Sequence, residues 1–276
     1  MRPLIRTCLA ALIALAATAP TSRADIFLDV IVNGNDLTGG PVNFTVLGGP
    51  GTGFSPDGSQ FTLNADVTLL NAALAGLNIP LVFNSLSAVS NFPTAPGSPA
   101  TAFLTVTADA SYLSNLGSAN IQIFATGTDY NFPPGIGTLG STASATFTNA
   151  KLVPQNNETF LSTYNPANAV APPLAGVFSP LLTLNTTTGN DSKSDTAAPT
   201  GVGNVTFPFS LQNLTTAVIG PGTLTTGGQV VPAKIGPFGG STTLVAVVPE
   251  PMSLALVGIG LSTVVVAQAR RRRVTA

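Results

Sequence analysis

Apolar and polar residues alternate along several short segments after Ala24. The clearest runs from Phe61 to Leu69, where every second residue is apolar and those between are Thr, Asn or Asp. Successive side chains of a β-strand point to opposite faces, so this period gives a strand one apolar and one polar face. The pattern predicts strands at 26–32, 42–46, 61–69, 102–108, 121–126, 144–153, 205–211 and 242–248.

Stretches rich in glycine and proline separate these segments. They include 48–51, 56–58, 93–99, 133–135 and 236–240. Such residues favour turns, and many short strands between turns are typical of all-β domains. The sequence therefore predicts a single antiparallel β-sandwich or jelly-roll-like domain over residues 25–247.

Helix is expected to be scarce in this body, with short helical turns predicted only at 69–77 and 110–116. The stretch 185–203 is rich in Thr, Asn, Ser and Asp and lacks a clear apolar period. We interpret it as a long surface loop or a weak domain boundary.

The first 24 residues have the three parts of a secretory signal peptide. Arg2 and Arg6 form a basic start, residues 8–19 are apolar, and Ser22-Arg23-Ala24 is a small-x-small site. We expect export by the secretion machinery and cleavage by signal peptidase after Ala24. An uncleaved N-terminal anchor is the alternative. Cleavage would remove Cys8, the only cysteine, so disulfides and thiolate chemistry are not expected in the exported body.

The other end combines an apolar segment with a basic tail. Residues 252–269 carry no charge and would reach about 27 Å as a helix, enough to cross a bilayer core. The tail 270–276 begins with Arg270, Arg271, Arg272 and Arg273, which places the C-terminus in the cytoplasm. Before the segment, Pro249 and Pro251 fix their own backbone φ and hold Glu250 extended, so the membrane helix cannot extend through these residues toward the N-terminus.

Val248-Pro249-Glu250-Pro251, the apolar segment and the arginine cluster together resemble the PEP-CTERM sorting signal of Gram-negative bacteria, here residues 248–276. The resemblance implies export, anchoring in the inner membrane, processing by an exosortase and release to the cell surface or the extracellular space. It also implies an association with exopolysaccharide or biofilm. Val248, Pro249, Glu250 and Pro251 would be the recognition residues for the exosortase.

The body between the two targeting segments is acidic. Nine Asp and Glu158 stand against Lys151, Lys193 and Lys234, which gives a net charge of −7, and every arginine lies at 1–24 or 270–273. A body without a basic patch argues against nucleic acid as a partner.

Candidate chemistry is sparse. The chain has no histidine, which excludes Ser-His-Asp catalysis and histidine-bound metals. A glycosidase would have to pair Glu158, the only Glu of the body, with an Asp, or use two Asp residues. Asp57, Asp66, Asp109 and Asp129 lie in turn-like or exposed-strand settings. We therefore predict a noncatalytic protein.

Calcium is the one cofactor that such a composition could hold, since carboxylate, amide and carbonyl oxygens suffice for it. The densest oxygen clusters are Asn33–Asp36 and Asn190–Asp195, and neither has the pattern of an EF-hand loop. Ordinary turns explain such clusters as well. The prediction is no cofactor, with calcium as the alternative.

Two function classes stay open for the body. The first is a noncatalytic structural or matrix protein of the cell surface. The second is a surface binding module for carbohydrate or ice. Carbohydrate sites favour exposed aromatics, and this chain has no Trp and three Tyr. The C-terminal segment is also similar to one carried by some ice-binding proteins, but Thr-x-Thr occurs in only two predicted strands, as Thr105-Val106-Thr107 and as Thr146-Phe147-Thr148.

Overall fold

The computed structural model describes residues 25–56, 58–91, 101–151, 156–186 and 189–247. The predicted signal peptide with Ala24 lies outside the described residues. So do Val248, Pro249, Glu250 and Pro251, the predicted membrane helix 252–269, and Arg270 to Arg273. Among the residues that are described, no helix has the length and apolar character needed to cross a lipid bilayer.

The body is built almost entirely from β-strands. In chain order, the strands of the described residues are β1 (Ile26–Val32), β2 (Asn35–Asp36), β3 (Val42–Asn43), β4 (Gly53–Phe54), β5 (Gln60–Asn64), β6 (Leu81–Asn91), β7 (Thr101–Tyr112), β8 (Ala119–Tyr130), β9 (Ile136–Thr148), β10 (Asn157–Asn165), β11 (Val177–Phe178), β12 (Leu182–Asn185), β13 (Asp191–Thr196), β14 (Thr200–Asn204), β15 (Phe209–Ile219), β16 (Thr223–Leu224), β17 (Val230–Val231) and β18 (Ala233–Val247). The helices within the described ranges are α1 (Phe44–Leu47) and α2 (Val67–Gly76).

Two large antiparallel sheets contain most of these strands. Sheet I has the order β11-β10-β15-β8-β1-β2, with β12 also paired to β10 and β3 to β1. Sheet II has the order β13-β9-β18-β7-β6-β5-β4, with β14 paired to β9. Long-range pairing holds the body together, because β18 lies between β7 and β9 and β15 lies between β8 and β10. The predicted antiparallel β-sandwich is confirmed in this architecture.

The core lies between the inner faces of the two sheets. In β7, Ala102, Leu104, Val106 and Ala108 are buried, while Thr105 and Thr107 are half-buried. Phe147 of sheet II and Phe160 of sheet I are fully buried in the same core. Full burial of an aliphatic or Phe side chain contributes about 1.5–3 kcal/mol to the free energy of unfolding, so the apolar residues of the alternating segments stabilise the fold by being buried.

Helix α2 explains why the alternation at 61–69 does not continue as a strand. Asp66 caps the helix, since its Oδ1 accepts a hydrogen bond from the backbone N–H of Thr68 at 3.0 Å. Leu70 and Leu74 are buried against the core. The helix predicted at 69–77 is thus confirmed with a start at Val67, and the strand predicted through Leu69 is wrong after Asn64.

Several other predictions are wrong in detail. The predicted helix 110–116 is not formed, because residues up to Tyr112 complete β7 and pair with both β6 and β18. The predicted strand 42–46 stops at Asn43 and continues as α1. The strand predicted at 144–153 starts too late, because β9 begins at Ile136. The strand predicted at 205–211 starts too early, because β15 begins at Phe209.

The predicted loop 185–203 contains β13 and β14, and both pair with β9. Most of their residues are exposed, because they extend the edge of sheet II without covering the core. An edge strand of this kind has no apolar face, which is why no period marked it in the sequence.

Candidate functional site

A groove of about 540 Å³ lies on the outer face of sheet II, where β7, β18, β9 and β13 run side by side. Its lining residues are Thr105, Val106, Thr107, Thr142, Ala143, Ser144, Ser194, Asp195, Thr196, Pro237, Phe238, Gly239, Gly240 and Ser241. Hydroxyl side chains dominate this list, and Asp195 is the only carboxylate in it. We call this feature the hydroxyl groove.

The register of the strands arranges the hydroxyls in two rows. The first row is Thr107, Gly239, Ser144 and Ser194, and the second is Thr105, Ser241, Thr142 and Thr196. Directly opposite residues share a face, and neighbouring strands lie about 4.7–4.9 Å apart. The two rows therefore form a lattice of seven hydroxyls interrupted at one point by glycine.

Most of these hydroxyls are accessible. Thr142, Ser144, Ser194 and Thr196 are exposed, whereas Thr105 and Ser241 are half-buried and bonded to each other, with Thr105 Oγ1 donating to Ser241 Oγ at 2.9 Å. Each hydroxyl offers one donor and two acceptor sites. The groove can thus make many weak hydrogen bonds, and Asp195 is the one charged side chain of its lining.

Gly239 forms the gap in the first row. Its φ is +130°, and a Cβ at this position would lie 2.3 Å from the carbonyl oxygen of Val106, so only glycine fits. The pairing of β18 shifts register between Ile235 and Phe238 against both neighbouring strands. The bulge and the close approach of the Val106 backbone therefore exclude a side chain from the first row between Thr107 and Ser144.

Glu158 lies behind the floor of the groove. It belongs to β10 of sheet I and is fully buried between the sheets. Its Oε1 accepts a hydrogen bond from the backbone N–H of Gly239 at 3.0 Å, and its Oε2 has no partner among the described residues. Burial raises the pKa of Glu158 to about 9, opposed by the Gly239 hydrogen bond, so the side chain is neutral at pH 7.

Other polar side chains continue inside the sandwich from this carboxyl. We call Ser141, Glu158, Ser162, Asn213, Thr215 and Thr242 the buried polar track. Ser162 is opposite Asn213 in sheet I, and its Oγ is 2.7 Å from Thr242 Oγ1 of sheet II. Thr242 of this track is buried, whereas its neighbour Ser241 lines the groove, so the two polar features lie on opposite sides of β18.

The carboxylates considered for catalysis have separate structural settings. Asp66 caps α2, Asp109 accepts a hydrogen bond from Asn84, and Asp129 accepts one from Asn168 Nδ2 at 2.7 Å. Glu158 is enclosed in the core. Asp57 lies outside the described residues.

The two oxygen clusters considered for calcium are both used locally. Asp36 Oδ1 accepts from the backbone N–H groups of Thr38 at 2.9 Å and Gly39 at 2.8 Å, which is a turn within the chain. In the second cluster, Asp191 pairs with Lys193 at 3.2 Å. Within the described ranges, no group of three or more His, Cys, Asp or Glu could hold a metal ion. The absence of a cofactor stays a prediction, with calcium as the alternative.

Sequence reasoning found Thr105 and Thr107 but missed the rest of the groove. Ser194 and Thr196 lie in the predicted loop, and Gly239 in a segment interpreted as a strand breaker. The spacing of hydroxyls two residues apart at Thr142-Ala143-Ser144 and Ser194-Asp195-Thr196 was the available signal.

No protein-family model matches the chain, and no curated protein does. A carbohydrate-binding module in complex with β-1,4-galactotriose is 9% identical, with 60% of this chain and 87% of that chain covered and a TM-score of 0.26. A PA14 sugar-binding domain from an RTX adhesin is 8% identical, with 72% and 87% covered and a TM-score of 0.25. The VP2 subviral particle of infectious bursal disease virus is 13% identical, with 89% and 78% covered and a TM-score of 0.27. Likenesses this distant carry no argument about function.

Proposed function

We propose that this protein is a noncatalytic cell-surface protein whose β-sandwich binds carbohydrate in the hydroxyl groove. The observation that carries the proposal is the double row of seven Ser and Thr hydroxyls around the gap at Gly239. A polyhydroxylated ligand fits such a surface because each sugar hydroxyl is also both a donor and an acceptor. The volume of about 540 Å³ lies within the range of small-molecule sites.

The lining also predicts how such binding behaves. Phe238, the aromatic residue of the lining, is buried, so it offers no stacking platform for a sugar ring. Hydrogen bonds on an open surface compete with water and add little each. We expect weak binding per site and useful retention only on a polymer that engages many copies at once, such as an exopolysaccharide.

Hydroxyl removal tests the carbohydrate proposal. The double variant Thr142→Val/Ser241→Ala, in the full chain, should weaken retention by host exopolysaccharide, mannan or β-1,4-galactan in affinity electrophoresis by about tenfold, since two hydrogen-bonding groups are lost. Thr138→Val is the matched control, because Thr138 is on the same face of β9 but outside the groove lining. Equal retention of the double variant and the control would refute the groove as the site.

Ice is the other binding class that a hydroxyl-bearing β-surface suggests. An ice-recrystallisation assay on the wild type and the same double variant separates the two ligands. Inhibition of recrystallisation that the double variant loses, together with no retention by any of the three polysaccharides, would replace carbohydrate by ice.

Surface delivery belongs to the same proposal and is supported by the sequence resemblance at 248–276. The body would be exported, held in the inner membrane and released to the surface by an exosortase acting near Val248-Pro249-Glu250-Pro251. Fractionation of the native host with and without its exosortase tests this step. Equal amounts of protein at the cell surface in both strains would contradict it.

A further inference from the structure

We propose that Glu158 is a positioning residue for the hydroxyl groove: from the core, its carboxyl holds the backbone N–H of Gly239 inward and keeps the gap in the groove open. This inference rests on the proposed function for its consequence in binding. Its structural part is tested separately.

The geometry of β18 shows why Gly239 needs a support from inside. The strand is paired on both sides, and its register shifts against β7 and β9 between the same two residues, Ile235 and Phe238. Regular pairing resumes at the groove floor, directly after this bulge. A hydrogen bond to the N–H of Gly239 therefore fixes the first residues of the strand that follow the irregularity.

The support comes from the opposite sheet. Glu158 Oε1 reaches across the sandwich to Gly239 N at 3.0 Å, a contact between residues 81 positions apart. Ala217 stands directly opposite Glu158 in β15 and is small, which leaves room beside the carboxyl. Phe160, two residues further along β10, packs where a side chain on Gly240 would be, since a Cβ there would lie 2.7 Å from its ring.

The chemistry of a neutral carboxyl suits this role. A buried N–H without an acceptor is costly, and a buried charge without a partner is costlier. A protonated carboxyl supplies an acceptor oxygen and carries no charge. An apolar side chain at 158 would leave the N–H of Gly239 without its acceptor in the core, and we expect the peptide to rotate toward solvent and narrow the gap.

Two variants of the full chain separate the acceptor from the bulk of the side chain. Glu158→Gln keeps an acceptor oxygen, and Glu158→Met keeps the length without one. Amide hydrogen exchange at Gly239 should stay within about twofold of wild type in Glu158→Gln and accelerate by about tenfold in Glu158→Met, the factor expected for one lost buried hydrogen bond. Retention by host exopolysaccharide should weaken in Glu158→Met and not in Glu158→Gln.

Ser162→Ala is the matched control, because Ser162 is also an interior polar residue of β10 but bonds Thr242 and not Gly239. Glu158→Met with unchanged Gly239 exchange, or Ser162→Ala with the same acceleration, overturns the inference. If Glu158→Met does not fold, a structure of Glu158→Gln provides the test. The side-chain oxygen of the introduced glutamine must accept a hydrogen bond from the backbone N–H of Gly239. An unchanged groove in which the amide of this glutamine is turned away from Gly239 would refute the positioning role of Glu158. If the wild type retains no polysaccharide, the proposed function fails while the exchange result still stands.

Discussion

The outer faces of the two sheets carry similar polar side chains but differ in what lies over them. On sheet I, Gln212 is directly opposite Thr126 and Thr163, and all three are buried. On sheet II, the row containing Thr142 and Ser241 is open and forms part of the hydroxyl groove. Polar residues on an outer strand face can thus be either covered or accessible.

Residues 166–176, which we call the covering segment, make the difference. Gln212 Nε2 donates to the carbonyl oxygen of Ala169 at 2.6 Å, and its Oε1 accepts from the N–H of Ala175 at 3.2 Å. The N–H of Ala171 donates to Thr126 Oγ1 at 3.0 Å. Backbone groups of this segment that face sheet I are therefore satisfied by side chains of sheet I. Among the described residues, no segment covers the groove on sheet II.

Substitution of Gly176, in the covering segment, should have the largest effect on the difference between the covered and the open sheet face. The φ of Gly176 is +109°, and a Cβ would lie 2.1 Å from the carbonyl oxygen of Tyr164, so Gly176→Ala should displace the covering segment. We expect a loss of about 3–5 kcal/mol in the free energy of unfolding, measured by urea denaturation. Gly201→Ala on β14 is the control, because nothing lies within 4 Å of its Cβ position. Equal stability of both variants would show that the segment is not held this tightly.

Glu158, between the sheets, gives the next largest effect through pH. Its folded pKa of about 9 lies above the ordinary value of 4.5 for a glutamate side chain, so the folded state binds the proton more tightly. Stability from this group is present below pH 4.5 and is lost as pH rises toward 9, by about 1.4 kcal/mol per pH unit at most. Glu158→Gln should remove this slope and raise the free energy of unfolding at pH 8 by about 2–4 kcal/mol. Parallel stability profiles of the variant and the wild type from pH 5 to pH 9 would contradict the assignment.

Gln212 tests whether the covered face is held by its hydrogen bonds. Gln212→Met preserves much of the side-chain volume but leaves the N–H of Ala175 without this acceptor, so the free energy of unfolding should fall by about 1–3 kcal/mol in urea denaturation. Gln122→Met is the comparison, since Gln122 is on the same face of sheet I and half-buried. We expect less than about 0.5 kcal/mol there. A similar loss in both variants would mean that the hydrogen bonds between Gln212 and the covering segment add no measurable stability.

The smallest effects compare one threonine from each face. Thr142→Val in the open groove should change the free energy of unfolding by less than about 0.5 kcal/mol. Thr163→Val on the covered face should be neutral or raise it by about 0.5–1 kcal/mol, because the buried Oγ1 of Thr163 has no partner among the described residues. Thermal unfolding of the two variants measures this difference. A clear destabilisation by Thr163→Val would show that its hydroxyl is bonded after all.

Local pattern predicted the fold class but only part of the site. The alternation in β7 correctly predicts that Thr105 and Thr107 share a face opposite Leu104 and Val106, because strand geometry is local. The same reasoning failed at β13, where an exposed edge strand shows no apolar period. It also failed at 236–240, where glycine and proline form a bulge inside β18 and not a break. Both misses fall on the groove.

Glu158 illustrates the same limit from the other side. In the sequence it stands out as the only Glu of the body, and the role considered for it there was that of a glycosidase carboxylate. Its partner is a backbone N–H far along the chain, on the opposite sheet. A contact of this kind depends on how the sheets face each other, so no local pattern could predict it.

The sequence by itself determined the apolar and polar faces of many strands, the all-β class, the acidity of the body and the resemblance of 248–276 to a sorting signal. The tertiary structure alone decided that 166–176 covers one polar face and that β7, β18, β9 and β13 bring their hydroxyls together on the other. The physical reason is that side-chain direction along a strand is a local property of the backbone. Which strands become neighbours, and which faces are covered, depends on pairing between distant parts of the chain.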